Sequence, residues 1–301
     1  MACVYQMVGA GMRAATLLAI VLSTTAFCHG QQYEHLRLGN PSEAREDASD
    51  RNNFLMRKKF FAVSYNESLG TPNWASWHLT RGFLGEAPRL AFHADHTLPA
   101  GFTRIEPADY TSSGFDRGHL CPHGDRAESH EMSESTFVMT NMIPQSPENN
   151  EKAWDQLENY LRSLVLHHGR QIYIVAGPHG RGGVGRTGFK SIIRHNHHTI
   201  VVPAHTWKVA LVLNANADAT RPVDRSARLI GVIVPNNSSP GLEWAGFRVP
   251  VAEIEELTGY TFFDQVNSRT LELLKTEVDE VPIPPPSIAR HPQAPSRTGS
   301  Q

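Results

Sequence analysis

Two short segments of this 301-residue chain carry residue types suited to acid–base and metal chemistry. The first is Asp116–His119 (DRGH). The second is a series in which each residue follows the last by four positions: Asn150, Trp154, Glu158 and Arg162. A histidine can accept a proton from water near neutral pH, and amide oxygens are hard ligands suited to Mg²⁺. A step of four residues turns a helix by only about 40°, so neighbours in the second series stack along one side. Taken alone, that series favours a solvated helix face with an i,i+4 ion pair.

The surroundings of both segments indicate more than a solvated face. The first continues as HLCPHGDR, and TNMIPQ and NNEKAWDQLE follow further along the chain. In the order and spacing of Asp116–His119, Asn141–Gln145 and Asn150–Glu158, the chain resembles the DNA/RNA non-specific endonucleases of the ββα-metal nuclease superfamily. The segments GTPNWASWHL, PADYTSSGFDRGH and VPAHTWKV also look like family segments. The resemblance covers approximately residues 33–263, with no departure at a family catalytic position.

The reaction that this resemblance implies is the hydrolysis of a phosphodiester bond. It needs a water that loses a proton, donors that neutralise charge on the phosphoryl oxygens, and a stabilised leaving oxygen. His119 suits the general base. The resemblance implies that Asn150 is the sole direct protein ligand of Mg²⁺, or of Mn²⁺ or another divalent cation, and that Glu158 holds metal-bound water. Three guanidinium groups would donate hydrogen bonds to the phosphate: Arg117, Arg162 and Arg89. The family's behaviour implies DNA and RNA as substrates, contacted through the phosphate backbone, and products with 5′-phosphate and 3′-hydroxyl ends.

Several of these residues also have a structural interpretation. Asn150 can cap a helix, and Trp154 is expected in the core. Asp116 is expected to orient Arg117 or its strand rather than bind metal. Asn141 and Gln145 either approach the site or only form structural hydrogen bonds. His205 and Lys208 either contact substrate or only serve the connection of a loop to a strand.

Two other functions compete with the nuclease. A zinc hydrolase could use His119, Cys121 and His123, but the chain has neither a CxxC nor an HExxH motif, and Pro122 argues against a helix there. A catalytically silent nucleic-acid-binding protein on the same fold would need cations rather than a base and a metal ligand. The retained His119 and Asn150 argue against it.

Strand patterns outnumber helix patterns, and no regular βαβ alternation appears. We therefore expect an α+β fold with a central, mostly antiparallel β-sheet flanked by helices and a ββα-metal motif at the active site. Helices are predicted at residues 42–58, 152–167 and 253–259. Strands are predicted at residues 60–65, 74–79, 114–120, 136–143, 172–176, 199–202, 207–213 and 229–235, with Pro144 ending the fourth.

The two ends of the chain differ from its middle. Residues 1–30 have the pattern of a secretory signal peptide, because Arg13 precedes an apolar run, residues 14–27, that is short for a membrane anchor. Residues 31–281 are expected to form one endonuclease domain, and residues 282–301 a Pro-rich disordered tail. We thus expect a secreted or periplasmic protein with no membrane association after cleavage. Cys121 would then be the one remaining cysteine, buried or nucleophilic.

The charge balance neither requires nor excludes nucleic acid. The formal net charge is −2 and 40% of residues are hydrophobic, which excludes wholesale disorder, collagen and coiled coil. Residues 159–217, however, contain no acidic residue and carry seven bases: Arg162, Arg170, Arg181, Arg186, Lys190, Arg194 and Lys208. Within this basic segment, the Gly-rich stretch 177–188 either approaches a nucleic-acid backbone with Arg181 and Arg186 or forms a flexible surface hairpin.

Overall fold

The computed structural model describes residues 33–237 and 243–283, in which an antiparallel sheet of seven strands is the framework. The strands of the described residues are β1 (Phe54–Arg57), β2 (Ala62–Asn66), β3 (Thr71–Leu79), β4 (Asp116–His119), β5 (Met142–Gln145), β6 (Arg170–His179), β7 (Gly183–Gly185), β8 (Gly188–Lys190), β9 (Ile192–His195), β10 (His198–Val201), β11 (His205–Asn214), β12 (Arg228–Pro235) and β13 (Arg248–Val249). The large sheet has the order β1-β2-β3-β6-β11-β12-β13, and every neighbouring pair is antiparallel. Three two-stranded ladders lie outside it: β4 with β5, β7 with β8, and β9 with β10.

The described residues contain fewer helices than strands. The helices are α1 (His130–Thr136), a π-helical turn (Asn149–Trp154) that leads directly into α2 (Asp155–His167), α3 (Val251–Thr258) and α4 (Arg269–Lys275). Short 3₁₀ turns occupy Glu34–Leu36, Arg81–Phe83, Pro107–Tyr110, His123–Arg126, Met139–Asn141 and Trp244–Phe247. The helix α3 ends at Gly259, whose φ of 71° is the left-handed conformation that glycine adopts without strain.

Both faces of the sheet are covered, which explains why its central strands are apolar at almost every position. One core cluster joins Trp77 and Ala210 of the sheet to Trp154 of the π-helical turn and to Leu157 and Leu161 of α2. The other face packs against α3 and α4 through a second cluster: Trp74, Val175, Trp207, Val209, Leu211, Ile254 and Leu271. Because side chains alternate along a strand, Lys208 of β11 points to the same face as Ala210, toward α2.

The predicted fold class is confirmed, and two local predictions are wrong. Residues 42–58 form turns and β1 instead of a helix, because side chains such as Asp47, which accepts from the Ser49 N–H at 2.9 Å, hold the backbone in turns. Residues 136–143 are not one strand: α1 ends at Thr136, a 3₁₀ turn follows, and β5 begins only at Met142. Pro144 lies inside β5, where a strand of a two-stranded ladder tolerates the missing N–H.

The predicted signal peptide, residues 1–30, and most of the predicted tail, residues 284–301, lie outside the described residues. At the described C-terminal end, Ile283 packs against the first core cluster. Among the residues that the structure describes, no helix is both long and apolar enough to cross a membrane.

Candidate active site

The two strands β4 and β5 and the helix that follows them bring the predicted site residues together. In this ladder Asp116 is opposite Gln145 and His119 is opposite Met142. The Gln145 side chain lies against Gly118, where a Cβ would be 1.7 Å from Gln145 Oε1. Gln145 is itself fixed, because its Nε2 donates to Asn149 Oδ1 at 2.8 Å. Glycine at position 118 is therefore a packing requirement of the motif.

Asn150 lies in the π-helical turn, one residue after its start. Its Nδ2 donates a hydrogen bond to Asp116 Oδ2 at 3.1 Å, so the side chains of β4 and the helix meet directly. Because the amide nitrogen is directed at Asp116, the amide oxygen is the atom available to a ligand. A single oriented amide oxygen fits Mg²⁺, which is bound through few protein ligands and retains its waters. Asp116 thus orients Asn150, where the sequence predicted Arg117 or the strand as its partner.

Asp116 has a second partner from the Gly-rich segment. Arg186 Nη1 lies 2.9 Å from Asp116 Oδ1, and Arg186 Nη2 lies 2.9 Å from Glu151 Oε1. Glu151 is the residue that follows Asn150 in the chain. One guanidinium is therefore paired both with the carboxylate that accepts from the Asn150 amide and with the carboxylate of the next residue in the chain.

His119 is enclosed by aromatic rings at the end of β4. Its ring stands edge-on to Phe137, with 5.0 Å between the centroids, and lies 5.5 Å from Phe92. Burial and, to a smaller extent, the charges of Arg89 and His123 lower the pKa of His119 to about 3. Its buried Nε2 has no hydrogen-bond partner among the described residues. The imidazole is therefore neutral at physiological pH, which is the form that accepts a proton.

Glu158 of α2 belongs to a series of basic and acidic side chains that alternate in space. Lys208 Nζ donates to Glu158 Oε1 at 3.1 Å, and Arg162 Nη1 lies 4.0 Å from Glu158 Oε2. Arg162 also donates to Asp125 Oδ1 at 2.9 Å. Burial raises the pKa of the Glu158 carboxyl, and Lys208 and Arg162 offset part of that rise. Lys208 thus supports Glu158 rather than an exposed substrate surface, since its side chain is only 1% exposed.

The other two predicted arginines occupy different environments. Arg117 donates through Nε and Nη2 to the carbonyl of Pro107 at 3.2 and 2.9 Å, and its guanidinium lies 5.2 Å above the Phe92 ring. Arg89 is exposed and lies 5.4 Å above the ring of Phe137, the same ring that contacts His119. The structure therefore brings Arg117 and Arg89 to the rings around His119, and Arg162 to Glu158.

The structure shows the contacts of residues for which the sequence left both a site role and a structural role open. Asn141 is structural: its side chain bonds both the N–H and the carbonyl of Cys121, at 3.0 and 2.8 Å. Trp154 lies in the core, as predicted, and donates from Nε1 to the His119 carbonyl at 3.3 Å. Sequence reasoning missed Asp125 and Glu151 as members of the charge network. The only available signal for Asp125 was its place in the family-like run HLCPHGDR.

The zinc alternative lacks support in the described part of the chain. No group of three or more histidine, cysteine, aspartate or glutamate side chains is placed there to hold a metal ion. Cys121 is fully buried in the core, and burial raises the pKa of its thiol to about 12. His123 Nε2 lies 3.0 Å from the carbonyl of Ala87. Cys121 therefore behaves as a core residue and not as a thiolate ligand.

Comparisons with known proteins agree with this geometry. Residues 39–269 match the family described as DNA/RNA non-specific endonuclease. A protein named Nuclease from Nostoc sp. (strain PCC 7120 / SAG 25.82 / UTEX 2576) is 41% identical over 246 residues, which is 81% of this chain and 86% of that protein. Nuclease EXOG, mitochondrial, from Danio rerio is 31% identical over 71% of this chain and 62% of its own length.

The fold also recurs in a solved structure. A crystal structure of the EndoG/EndoGI complex, on the inhibition of EndoG, aligns with a TM-score of 0.62 and 24% identity over 77% of this chain and 91% of that chain. At that identity the likeness concerns the fold alone. Together with the family match and the Nostoc relative, the site geometry leads to one assignment: the chain belongs to the DNA/RNA non-specific endonuclease family, a family of divalent-metal-dependent nucleases, and is a nuclease.

Proposed function

We propose that this chain hydrolyses phosphodiester bonds of both DNA and RNA, with Mg²⁺ as its cation and 5′-phosphate and 3′-hydroxyl ends as its products. Mn²⁺ or another divalent cation is the alternative to Mg²⁺. The observation that carries the proposal is the hydrogen bond from Asn150 Nδ2 to Asp116 Oδ2, which orients a single amide oxygen next to the strand of His119. Hydrolysis by a base and one hard cation requires this pair of groups.

Each residue has a role that follows from its surroundings. The Asn150 oxygen would hold the cation, which would supply charge neutralisation to the reacting phosphodiester. His119 accepts the proton of the attacking water at Nε2, because its lowered pKa keeps the ring neutral. Glu158 orients water near Asn150, and Lys208 opposes the rise that burial causes in the pKa of the Glu158 carboxyl.

The arginines act on the phosphate. Arg89 and Arg117 lie over the rings that enclose His119, so their guanidinium groups are close to the reacting centre. Arg162 has a fixed position between Glu158 and Asp125. Guanidinium donors contact phosphate oxygens, which every nucleotide shares, so we propose cleavage of DNA and RNA without sequence selection.

The proposal is tested with purified protein, plasmid DNA and RNA, in Mg²⁺ or in excess EDTA. We expect cleavage of both polymers in Mg²⁺ only, and end-group analysis should find 5′-phosphates. His119→Ala and Asn150→Ala should each lower kcat at least a hundredfold. His96→Ala, which changes an exposed histidine outside the site, is the matched control. Salt-sensitive retention of DNA without cleavage in any divalent cation would instead support the silent binding protein.

We further propose that residues 31–281 act as one exported domain after removal of residues 1–30, with residues 282–301 as a tail. The supporting observation is that elements from Glu34 to Lys275 share the two large core clusters. N-terminal sequencing of the protein recovered from the medium and the periplasm tests export. A mature chain that still begins at residue 1 and remains with the membrane fraction would contradict it.

A further inference from the structure

The contact between Arg186 and two carboxylates lies beside the proposed metal ligand but has no role in the mechanism given above. Arg186 follows β7 at the turn of the β7–β8 hairpin, which comprises residues 183–190. Its guanidinium is 57% exposed and is paired with Asp116 and Glu151 at 2.9 Å each. Asp116 accepts a hydrogen bond from the Asn150 amide, and Glu151 follows Asn150 in the chain. The question is what this ion pair does for Asn150.

The hairpin that carries Arg186 is docked on the ββα motif. The Arg186 N–H donates to the Gly114 carbonyl at 2.8 Å, and Thr187 Oγ1 donates to the Ser113 carbonyl at 3.1 Å. A Cβ on Gly185 would lie 2.4 Å from the Gly114 carbonyl oxygen. The glycines of this segment thus permit close contact with the residues that precede β4. Arg186 is fixed at its backbone, so its side chain reaches Asp116 from a defined direction.

Asp116 is used on both sides of its carboxylate. Oδ2 accepts from Asn150 and Oδ1 accepts from Arg186, so each carboxylate oxygen already has a donor from the protein. Carboxylates bind Mg²⁺ and Mn²⁺ more strongly than amides do, because they carry charge. Without Arg186, the Asp116 carboxylate that holds the Asn150 amide and the carboxylate of the next residue, Glu151, would both lose their compensating charge. Asp116 would then be free to turn toward the cation.

We propose that Arg186 is a positioning residue that keeps Asp116 out of the coordination shell of the metal, so that Asn150 alone holds the cation. This inference rests on the proposed function. Its consequence is unusual for a residue near a metal, because removing it should tighten cation binding while slowing catalysis. The slower reaction follows because a cation neutralised by a carboxylate polarises phosphate less and because the Asn150 amide loses its orientation.

The test compares Arg186→Gln with wild type in the full chain. Isothermal titration calorimetry with Mn²⁺ and with Mg²⁺ measures cation affinity without any need for turnover. We expect Arg186→Gln to bind Mn²⁺ about threefold to tenfold more tightly, because the partly buried Asp116 carboxylate and the exposed Glu151 carboxylate both lose their partner. On DNA, kcat should fall about tenfold or more at saturating Mn²⁺.

Three further proteins separate this role from a structural one. In Asp116→Asn/Arg186→Gln most of the gain in Mn²⁺ affinity should disappear, since the carboxylate that can turn toward the cation is gone and only the Glu151 charge remains uncompensated. Arg186→Lys keeps the charge and should keep wild-type affinity. Arg221→Gln removes an exposed arginine paired with Asp218 at 3.4 Å, far along the chain, and should change neither quantity.

The outcomes are distinct. An Arg186→Gln variant with wild-type affinity and kcat overturns the inference, and so does one that binds Mn²⁺ more weakly, because a structural role would loosen the site. Either result leaves the proposed function intact as long as wild type binds Mn²⁺ and cleaves DNA. If wild type does neither, the proposed function fails and this inference fails with it.

Discussion

Lys208→Met should destabilise the protein by about 3 kcal/mol at pH 8, because it removes the cation that supports the buried Glu158 carboxylate. Two unit charges 3.1 Å apart, the distance between Lys208 Nζ and Glu158 Oε1, attract by about 5 kcal/mol at an effective dielectric constant of about 20. The variant no longer bears the cost of burying a charged lysine, and Arg162 stays 4.0 Å from the other carboxylate oxygen, so only part of that energy is lost. Methionine still fills the space against Trp154 and Trp77.

The pH dependence has a definite sign. Burial already raises the pKa of Glu158, and loss of Lys208 raises it further. A carboxyl with a raised pKa in the folded state binds a proton that the unfolded chain releases, so the stability of the variant falls as pH rises above the unfolded value. The penalty of Lys208→Met should therefore be larger at pH 8 than at pH 5.5. The acidic limb of its pH–rate profile should move to higher pH.

A double-mutant cycle measures the charge contribution. Urea unfolding at both pH values is compared for wild type, Lys208→Met, Glu158→Gln and the double variant. In the Glu158→Gln background, Lys208→Met should lower the free energy of unfolding by less than about 1 kcal/mol. Lys275→Met is the matched control, since the Lys275 side chain is also buried, at 7% exposed, and lies 3.0 Å from Glu255 on the other face of the sheet. It should lose stability with an unchanged pH–rate profile. An equal cost of Lys208→Met in both backgrounds and at both pH values would show that packing on the tryptophans, and not charge, is what Lys208 contributes.

Three further predictions concern stability. Gly118→Ala should cost about 3 kcal/mol in urea unfolding, because its Cβ would lie 1.7 Å from Gln145 Oε1, and Gln145→Ala in the same chain should restore part of it. Since the pKa of His119 falls to about 3, the unfolded chain binds the extra proton between about pH 3 and 6.5, so stability falls on acidification by up to about 1.4 kcal/mol per pH unit. His119→Phe should flatten that slope by one proton, and an unchanged slope would contradict the shift. Asp279→Asn should lower stability by about 3 kcal/mol in thermal unfolding, because it breaks the paired bonds from Arg228 at 2.9 and 2.7 Å and leaves a half-buried guanidinium; a loss under about 0.5 kcal/mol would show that this pair is not stabilising.

The sequence was most informative where a local pattern and the tertiary fold agree. The apolar β-branched runs of β6, β11 and β12 are buried on both faces, so their composition alone predicts strands. The helix containing Leu157 and Leu161 was predicted from its apolar spacing. The antiparallel sheet and the α+β class followed from the same patterns.

The errors and omissions arise where long-range contacts decide. The helical spacing of residues 42–58 was overridden by local side-chain bonds and by the pairing of Phe54 with Tyr65 of β2. The π-helical turn that presents Asn150 has no pattern distinct from that of an α-helix. Asp125 joins Arg162 only because the turn after β4 folds back on α2, a separation of 37 residues. Spacing along the sequence could identify the side chains of the site. Their hydrogen-bond partners, however, depend on strand register, which the spacing does not determine.

The placement of Lys208 in the middle of β11 has a consequence for how the enzyme would fail. β11 pairs along ten residues with β6 and along eight with β12, so its amide protons should exchange with solvent only when the whole sheet opens. The Trp154 indole joins the helix of the site to the carbonyl of His119 from within the same core. Partial denaturation should therefore leave a mixture of fully active and fully inactive molecules, in which the remaining rate counts folded chains and the affinity for substrate stays unchanged.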